Sequence, residues 1–306
     1  MKITHARALL AGIAALTALA LTSCGASVPG SAPASKGTLT QQQVIDEAPV
    51  ADSLPDSPTL DAIRKAGTLQ FGGSQDRPLF SQFNPATNTY EGFESGLAYA
   101  FAKYVLGKPE VAFTEVTPVN REALLQNGTV QFIVGGYSVT PQRAELVAFA
   151  GPYMESGTGV GILADNKELT SVADLDGKTI ATFAGLTESA VIKAVPKAHV
   201  ITFATTNELV SAIKHGRADA MALDMPSLLG AIANNKGTVK ALSDEPITSL
   251  YFGFGLPKTD PVYKQVVNDW LEKIEKSGLY EKLWKATVGD IAPVPTPPQI
   301  GSVPGS

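Results

Sequence analysis

Cysteine occurs once among the 306 residues, at Cys24, and histidine three times. A lone cysteine excludes an internal disulfide. His199 and His215, at the start of an expected strand and at an expected helix exit, have no ligand-spaced partner, so no metal centre is expected. Basic residues are outnumbered by acidic ones, 24 to 29, a balance that argues against a nucleic-acid partner. Long apolar runs are also missing: residues 8–21 form the longest, and it is short for a membrane span. There is no nucleophile elbow and no cysteine placed for catalysis. "GTGVG" at 157–161 runs into a strand where a nucleotide loop would open a helix, and no cofactor is expected.

What is present begins with an export pattern. Lys2 and Arg7 precede the apolar run, which closes in Leu21-Thr22-Ser23-Cys24. This is the layout of a removable signal over residues 1–23, and its last four residues resemble the lipobox of bacterial lipoproteins, in which the cysteine is acylated after cleavage. Cys24 is therefore the expected lipid anchor, holding the protein on the outer face of the cell membrane. Residues 24–58 are rich in Ser, Ala, Pro and Gly and read as a disordered tether; the Pro-rich residues 291–306 read as a disordered tail.

Between them, "GTLQFGG" (67–73), "GFESGLAYAFAKYVLG" (92–107) and "EVAFTEV" (110–116) read as strand, helix and strand, which implies a crossover and a parallel sheet. Helix 120–128 and strand 130–136 continue the series. A second series follows: strands near 159–165, 179–185 and 199–204, with a helix at 187–195. The stretch "LLQNGTVQFIVGG" (124–136) matches "AIKHGRADAMALD" (212–224) in pattern. That match is expected of two similar α/β lobes, although helix-glycine-strand recurs in many α/β proteins. The boundaries expected are 59–155 with 251–290 for lobe one and 156–250 for lobe two. Two hinge crossings are placed at 153–158 and 248–252.

Ligands of open α/β sheets settle at the carboxyl ends of strands, where residues 136–140, 185–187 and Asp224 fall. Thr140 and Pro141 form a good helix start, so Arg143 and the free amides of that turn could meet one anion, a carboxylate fitting a guanidinium well. Arg143 could equally pair with Glu145 or stay solvated, and Asp224 could cap the helix that follows it.

The segments "YSVTPQRAELVAFAGPY" (137–153), "NREALLQNGTVQFIVGGYS" (120–138), "LTSVADLDGKTIATFAGLTES" (169–189) and "GLYEKLWKATVG" (278–289) carry a family resemblance. They are similar, in the same order, to the polar amino-acid-binding proteins of ABC importers, and most of all to the glutamate/aspartate-binding branch. The resemblance implies a two-lobed periplasmic-binding-protein-like (type II) α/β fold and a monomer that delivers an L-amino acid to a permease. Glutamate, aspartate, glutamine and asparagine are the candidate ligands. It further implies that Arg143 clamps the α-carboxylate with Ser138 and the backbone around Gly136, that Thr187 adds a hydroxyl and N–H, and that Asp224 receives the α-ammonium, with Thr140 capping the turn that carries Arg143. Arg121 would meet a side-chain carboxylate and Phe80 would form an apolar wall.

Two departures stand out. The family's Gly-Phe-Asp-x-Asp reads Gly92-Phe93-Glu94-Ser95-Gly96 here, and Ser74 stands where the glutamate-binding branch often has a basic residue, with Arg77 nearby. Two other readings share this fold: a binding lobe that signals to a membrane sensor, and a dehydratase-like enzyme using Glu188 as its acid or base.

Overall fold

The computed structural model describes residues 39–306 apart from Pro118; the expected signal segment and Cys24 lie outside them. Two five-stranded sheets carry the described chain. The first runs in the order Val111–Glu115, Leu69–Gly73, Phe132–Ile133, Leu250–Leu256, Ala148–Ser156, and the second His199–Phe203, Thr179–Phe183, Ala220–Asp224, Thr158–Leu163, Val239–Ala241. In each, the first three strands are parallel and the remaining pairings antiparallel. This is the mixed α/β, two-lobed architecture expected.

Helix boundaries follow local chemistry. Ser57 caps Pro58–Ala66, accepting from the Leu60 amide while proline takes the first helical position. Asp260 caps the long Pro261–Lys276 helix in the same way. That helix buries Val266, Val267, Trp270, Leu271 and Ile274 against the first sheet, and Gly278 separates it from Leu279–Thr287. Phe101, Phe132 and Phe254 stack in succession at centroid separations of 5.0 and 4.8 Å, and Trp270 meets Phe101 edge-on at 5.0 Å.

The chain passes between the sheets at Gly157 and returns through residues 247–250. Ile247 N donates to Thr158 O at 2.7 Å, Thr158 N to the Thr248 hydroxyl at 2.9 Å, and Leu250 pairs with Ser156. A Cβ on residue 157 would lie 1.6 Å from Thr248 O, so only glycine permits the two crossings to run this close.

Three features differ from expectation. The loose tether ends sooner: Gln41–Asp46 is a helix with a Thr40/Gln43 capping box, and Val44 and Ile45 are buried. A short amphipathic turn has been hidden there by the polar average of its surroundings. The Pro-rich tail is packed, not disordered, with Val294 and Ile300 against the core of the first lobe. A small antiparallel sheet, Asp76–Arg77, Ser81–Asn84 and Thr89–Glu91, also follows the first strand; its Tyr90 stacks on Phe113 at 3.9 Å.

Candidate functional site

The carboxyl ends of the parallel strands in the first sheet deliver three loops: the one bearing Ser74 and Arg77, the one entering the Arg121–Gln126 helix, and residues 134–140. Tyr137 organises the second and third. It is fully buried, its hydroxyl donates to Glu122 Oε1 at 2.8 Å, and its ring packs edge-on against Phe149. Two guanidinium groups lie over that ring, Arg121 at 4.1 Å and Arg143 at 5.5 Å from its centroid. Glu122 Oε1 stands 3.7 Å from Arg121 Nε and 3.8 Å from Arg143 Nε, close enough for attraction and beyond a hydrogen bond.

Arg121 is 6% exposed, and its Nε has no hydrogen-bond partner among the described residues. Burial, and then the neighbouring Arg143 charge, bring its pKa down to about 10. It nevertheless stays cationic at neutral pH. Burial, followed by the hydrogen bond and charge of Glu122, pushes the Tyr137 hydroxyl up.

The helix expected after Thr140 is a single turn, Pro141–Ala144. Thr140 Oγ1 accepts from the Arg143 amide at 3.3 Å, which uses one of the amides expected to face an anion. Arg143 does not pair with Glu145; its Nη1 donates to Ser138 O at 2.9 Å. The positive charge here belongs to the side chain, because one turn has little macrodipole.

A second charged group joins the two lobes. Glu94, fully buried, accepts from Gly136 N at 2.9 Å and from the Tyr153 hydroxyl at 2.6 Å through Oε1, and from Arg77 Nη1 at 2.8 Å through Oε2. Arg77 Nη2 then reaches Asp224 Oδ1 of the second lobe at 3.5 Å. Asp224 also caps the Met225–Asn234 helix, accepting from Ser227 N at 3.2 Å, so it serves both as cap and as ion partner. Burial opposes the charge of Arg77, but Glu94 and Asp224 outweigh it and its pKa is raised. Burial, and then Glu94, push the Tyr153 hydroxyl well up.

The result is a polarised junction. Arg121 and Arg143 share one carboxylate, Glu122, whereas Glu94 and Asp224 share one guanidinium, Arg77. The loop from Gly136 to Ser138 links the two groups: a Cβ at Gly136 would lie 3.0 Å from Arg77 Nη1.

Sequence reasoning singled out Arg143, Arg121, Ser138, Gly136, Thr140 and Asp224, and the structure gathers them along this path. It missed the work of Arg77, Glu94, Tyr137 and Glu122. The signal for Glu94 was its departure from the Gly-Phe-Asp-x-Asp pattern: a glutamate reaches Arg77, Gly136 and Tyr153 from the start of the Phe93–Leu106 helix. Ser74 turns away, its hydroxyl donating to Asp76 Oδ1. Phe80 is fully buried, edge-on to Trp284 at 5.9 Å, with the Arg77 guanidinium 5.8 Å from its ring centroid. Thr187 lies half-buried in the first turn of Leu186–Ala194, and no hydrogen bond among the described residues ties it to the first lobe. Glu188 Oε2 accepts from Gly185 N in a helix cap. A cavity of about 840 Å³ is lined by Met225, Leu229, Thr248, Trp284 and Pro293; of the expected site residues it takes in Phe80 alone.

A family model, bacterial extracellular solute-binding proteins, family 3, matches residues 69–289. The chain is 32% identical over 233 residues to the ABC transporter glutamine-binding protein GlnH of Bacillus subtilis, covering 74% of this chain and 83% of the relative. It is 28% identical over 239 residues to the glutamate-binding protein GluB of Corynebacterium efficiens, covering 73% and 80%. Among solved structures, an ancestral cationic amino acid solute-binding protein superposes with a TM-score of 0.66 at 34% identity, over 75% of this chain and 99% of that one. The cysteine-binding protein from Campylobacter jejuni superposes with a TM-score of 0.63 at 26% identity, over 76% and 94%.

Proposed function

The chain belongs to the bacterial extracellular solute-binding proteins, family 3, and from that premise we propose that it captures an L-amino acid between its lobes and hands it to an ABC importer. The observation that carries this reading is the opposed imbalance of charge across the Gly136–Ser138 loop. A zwitterion bears both signs at one carbon, and its carboxylate finds the arginine-rich side while its ammonium finds Asp224. Arg143, with Ser138 and Gly136, takes the carboxylate; Thr187 completes the shell from the second lobe when the cleft closes. Closure is stabilised by whatever the ligand gains in the closed arrangement over the open one.

The side chain of the ligand is polar. Arg121 supports this, since its buried Nε has no hydrogen-bond partner among the described residues, Glu122 standing too far at 3.7 Å, and an amide or carboxylate oxygen would satisfy it. Glutamine and glutamate come first, in line with the named ligands of the relatives, followed by asparagine and aspartate. The protein binds and releases without turnover, a reading supported by Glu188 serving as a helix cap. Acylation of Cys24 holds it at the membrane, where the permease recognises the closed shape.

Calorimetric titration of the purified chain with the common L-amino acids tests the reading. Binding of one or more polar amino acids is expected, and heat from none of them removes the proposal. Arg121→Ala should weaken glutamate more than glutamine; equal loss for both removes the side-chain role of Arg121.

A further inference from the structure

We infer that the segment after Asp290 is a positioning strap, which docks behind the Thr140–Ala144 turn and fixes Arg143 for its ligand. The role in binding rests on the amino-acid reading; the docking does not. The strap lies beyond the region matched by the family model, which ends at residue 289.

Its path is defined at both ends. Trp284 Nε1 donates to Ala292 O at 3.1 Å, holding the start of the strap against the last helix. Gly301 N then donates to Gly151 O at 2.8 Å, beside the strand that leads to the hinge. Val303 packs into the cluster of Tyr137, Val139, Val147 and Phe149, the cluster whose tyrosine ring carries both guanidinium groups. Ser306 closes the segment into a turn, its amide and hydroxyl both donating to Val303 O. Gly305, at φ +98°, passes so close to the arginine turn that a Cβ there would lie 2.7 Å from the Ala144 Cβ. A side chain at 305 is therefore opposed twice, by backbone conformation and by space.

The turn needs such support. Pro141–Ala144 is four residues long, too short to hold its shape by its own hydrogen bonds. The strap covers its outer side at Ala144 and the underlying tyrosine cluster at Val303. Ordering Arg143 before the ligand arrives removes a cost that would otherwise be charged to affinity.

The test uses Gly305→Val and Val303→Asp in the otherwise intact chain, with L-glutamine and L-glutamate as probes. Three quantities are measured: affinity, amide hydrogen exchange and the thermal midpoint. The expected result for Gly305→Val is roughly tenfold weaker binding, with faster exchange over residues 139–146 and an unaltered Leu69–Gly73 strand and midpoint. Val303→Asp should follow it and Val303→Ile should retain wild-type affinity. Unchanged exchange over 139–146 overturns the docking, and faster exchange with unchanged affinity overturns the positioning role. A general loss of protection with a lowered midpoint makes the strap merely structural and also overturns the proposal. Should the intact chain bind neither amino acid, the amino-acid reading fails, and exchange over 139–146 still decides the docking.

Discussion

The two lobes share a sheet topology and differ in what fills them. Every aromatic pair among the described residues belongs to the first lobe. The second is built from aliphatic clusters around Leu209, Leu223 and Leu228 on one side and Ile162, Ile180 and Val191 on the other. Charge is divided as unevenly. Arg77, Glu94, Arg121, Glu122 and Arg143 all stand on the first lobe, and the second contributes Asp224 to the same junction. A stiff aromatic core suits the lobe that must hold several charges in register. The other lobe has a single carboxylate to present, and a helix cap is enough to aim it.

Substitutions on either side put this division to the test. The largest effect is expected at Glu94. Glu94→Ala takes the nearer carboxylate from the half-buried Arg77 guanidinium and leaves an amide and a phenol without their acceptor, and should lower stability by about 3–5 kcal/mol in denaturant unfolding. A loss below about 1 kcal/mol would mean that the buried charge is not integral to the first lobe. Arg143→Ala comes next: ligand affinity should fall by about 2–5 kcal/mol in calorimetry, with little change in the unfolding midpoint because, among the described residues, the side chain donates to Ser138 O alone.

Across the cleft, Asp224→Asn should separate two duties. Asparagine still caps the following helix, so stability holds, while amino-acid affinity falls by about 1.5–3 kcal/mol as the charge disappears. Asp224→Ala should cost about 1 kcal/mol of stability in addition. If the two variants unfold alike, the cap is not what aims the carboxylate.

The smallest effect concerns pH. Glu275 has a buried Oε1 without a hydrogen-bond partner among the described residues, and burial, followed by Glu272, raises its pKa to about 7. The folded state thus binds its proton more tightly than the unfolded state does. Its contribution to stability is complete below the ordinary glutamate range and is lost as pH rises toward 7. Glu275→Gln should flatten the fall in thermal midpoint between about pH 4.5 and 7, and an unchanged slope would remove Glu275 as its source.

Much of the architecture was legible because it is periodic. The strand at Leu69–Gly73, the helix at Phe93–Leu106 and the break at Gly278 follow from local alternation and punctuation. So do Thr140 and Pro141 as a helix start, although the length of that helix did not: nothing nearby signalled that it stops after one turn. Of the expected site residues, Arg143 and Asp224 announce their chemistry by residue type, and both stand at the charged junction. The site was illegible where meaning comes from a distant partner. Arg77 is an unremarkable surface arginine until Glu94 and Asp224 are placed beside it, and the sequence around Phe80 does not show that Trp284 packs against it. The same holds for Val303, whose proline-rich surroundings suggest solvent and whose neighbours in space are a buried tyrosine cluster.

The narrow passage at Gly157 has a thermodynamic consequence. Because both crossings are already hydrogen-bonded to each other, the proposed approach of the two halves would not have to gather slack chain. In the closure proposed above, little linker entropy would be surrendered, and its free energy would depend on what meets across the cleft, chiefly Arg77, Asp224 and the bound molecule. An insertion of two or three flexible residues at Gly157 would restore that lost disorder and uncouple one half from the other without touching a single charged group.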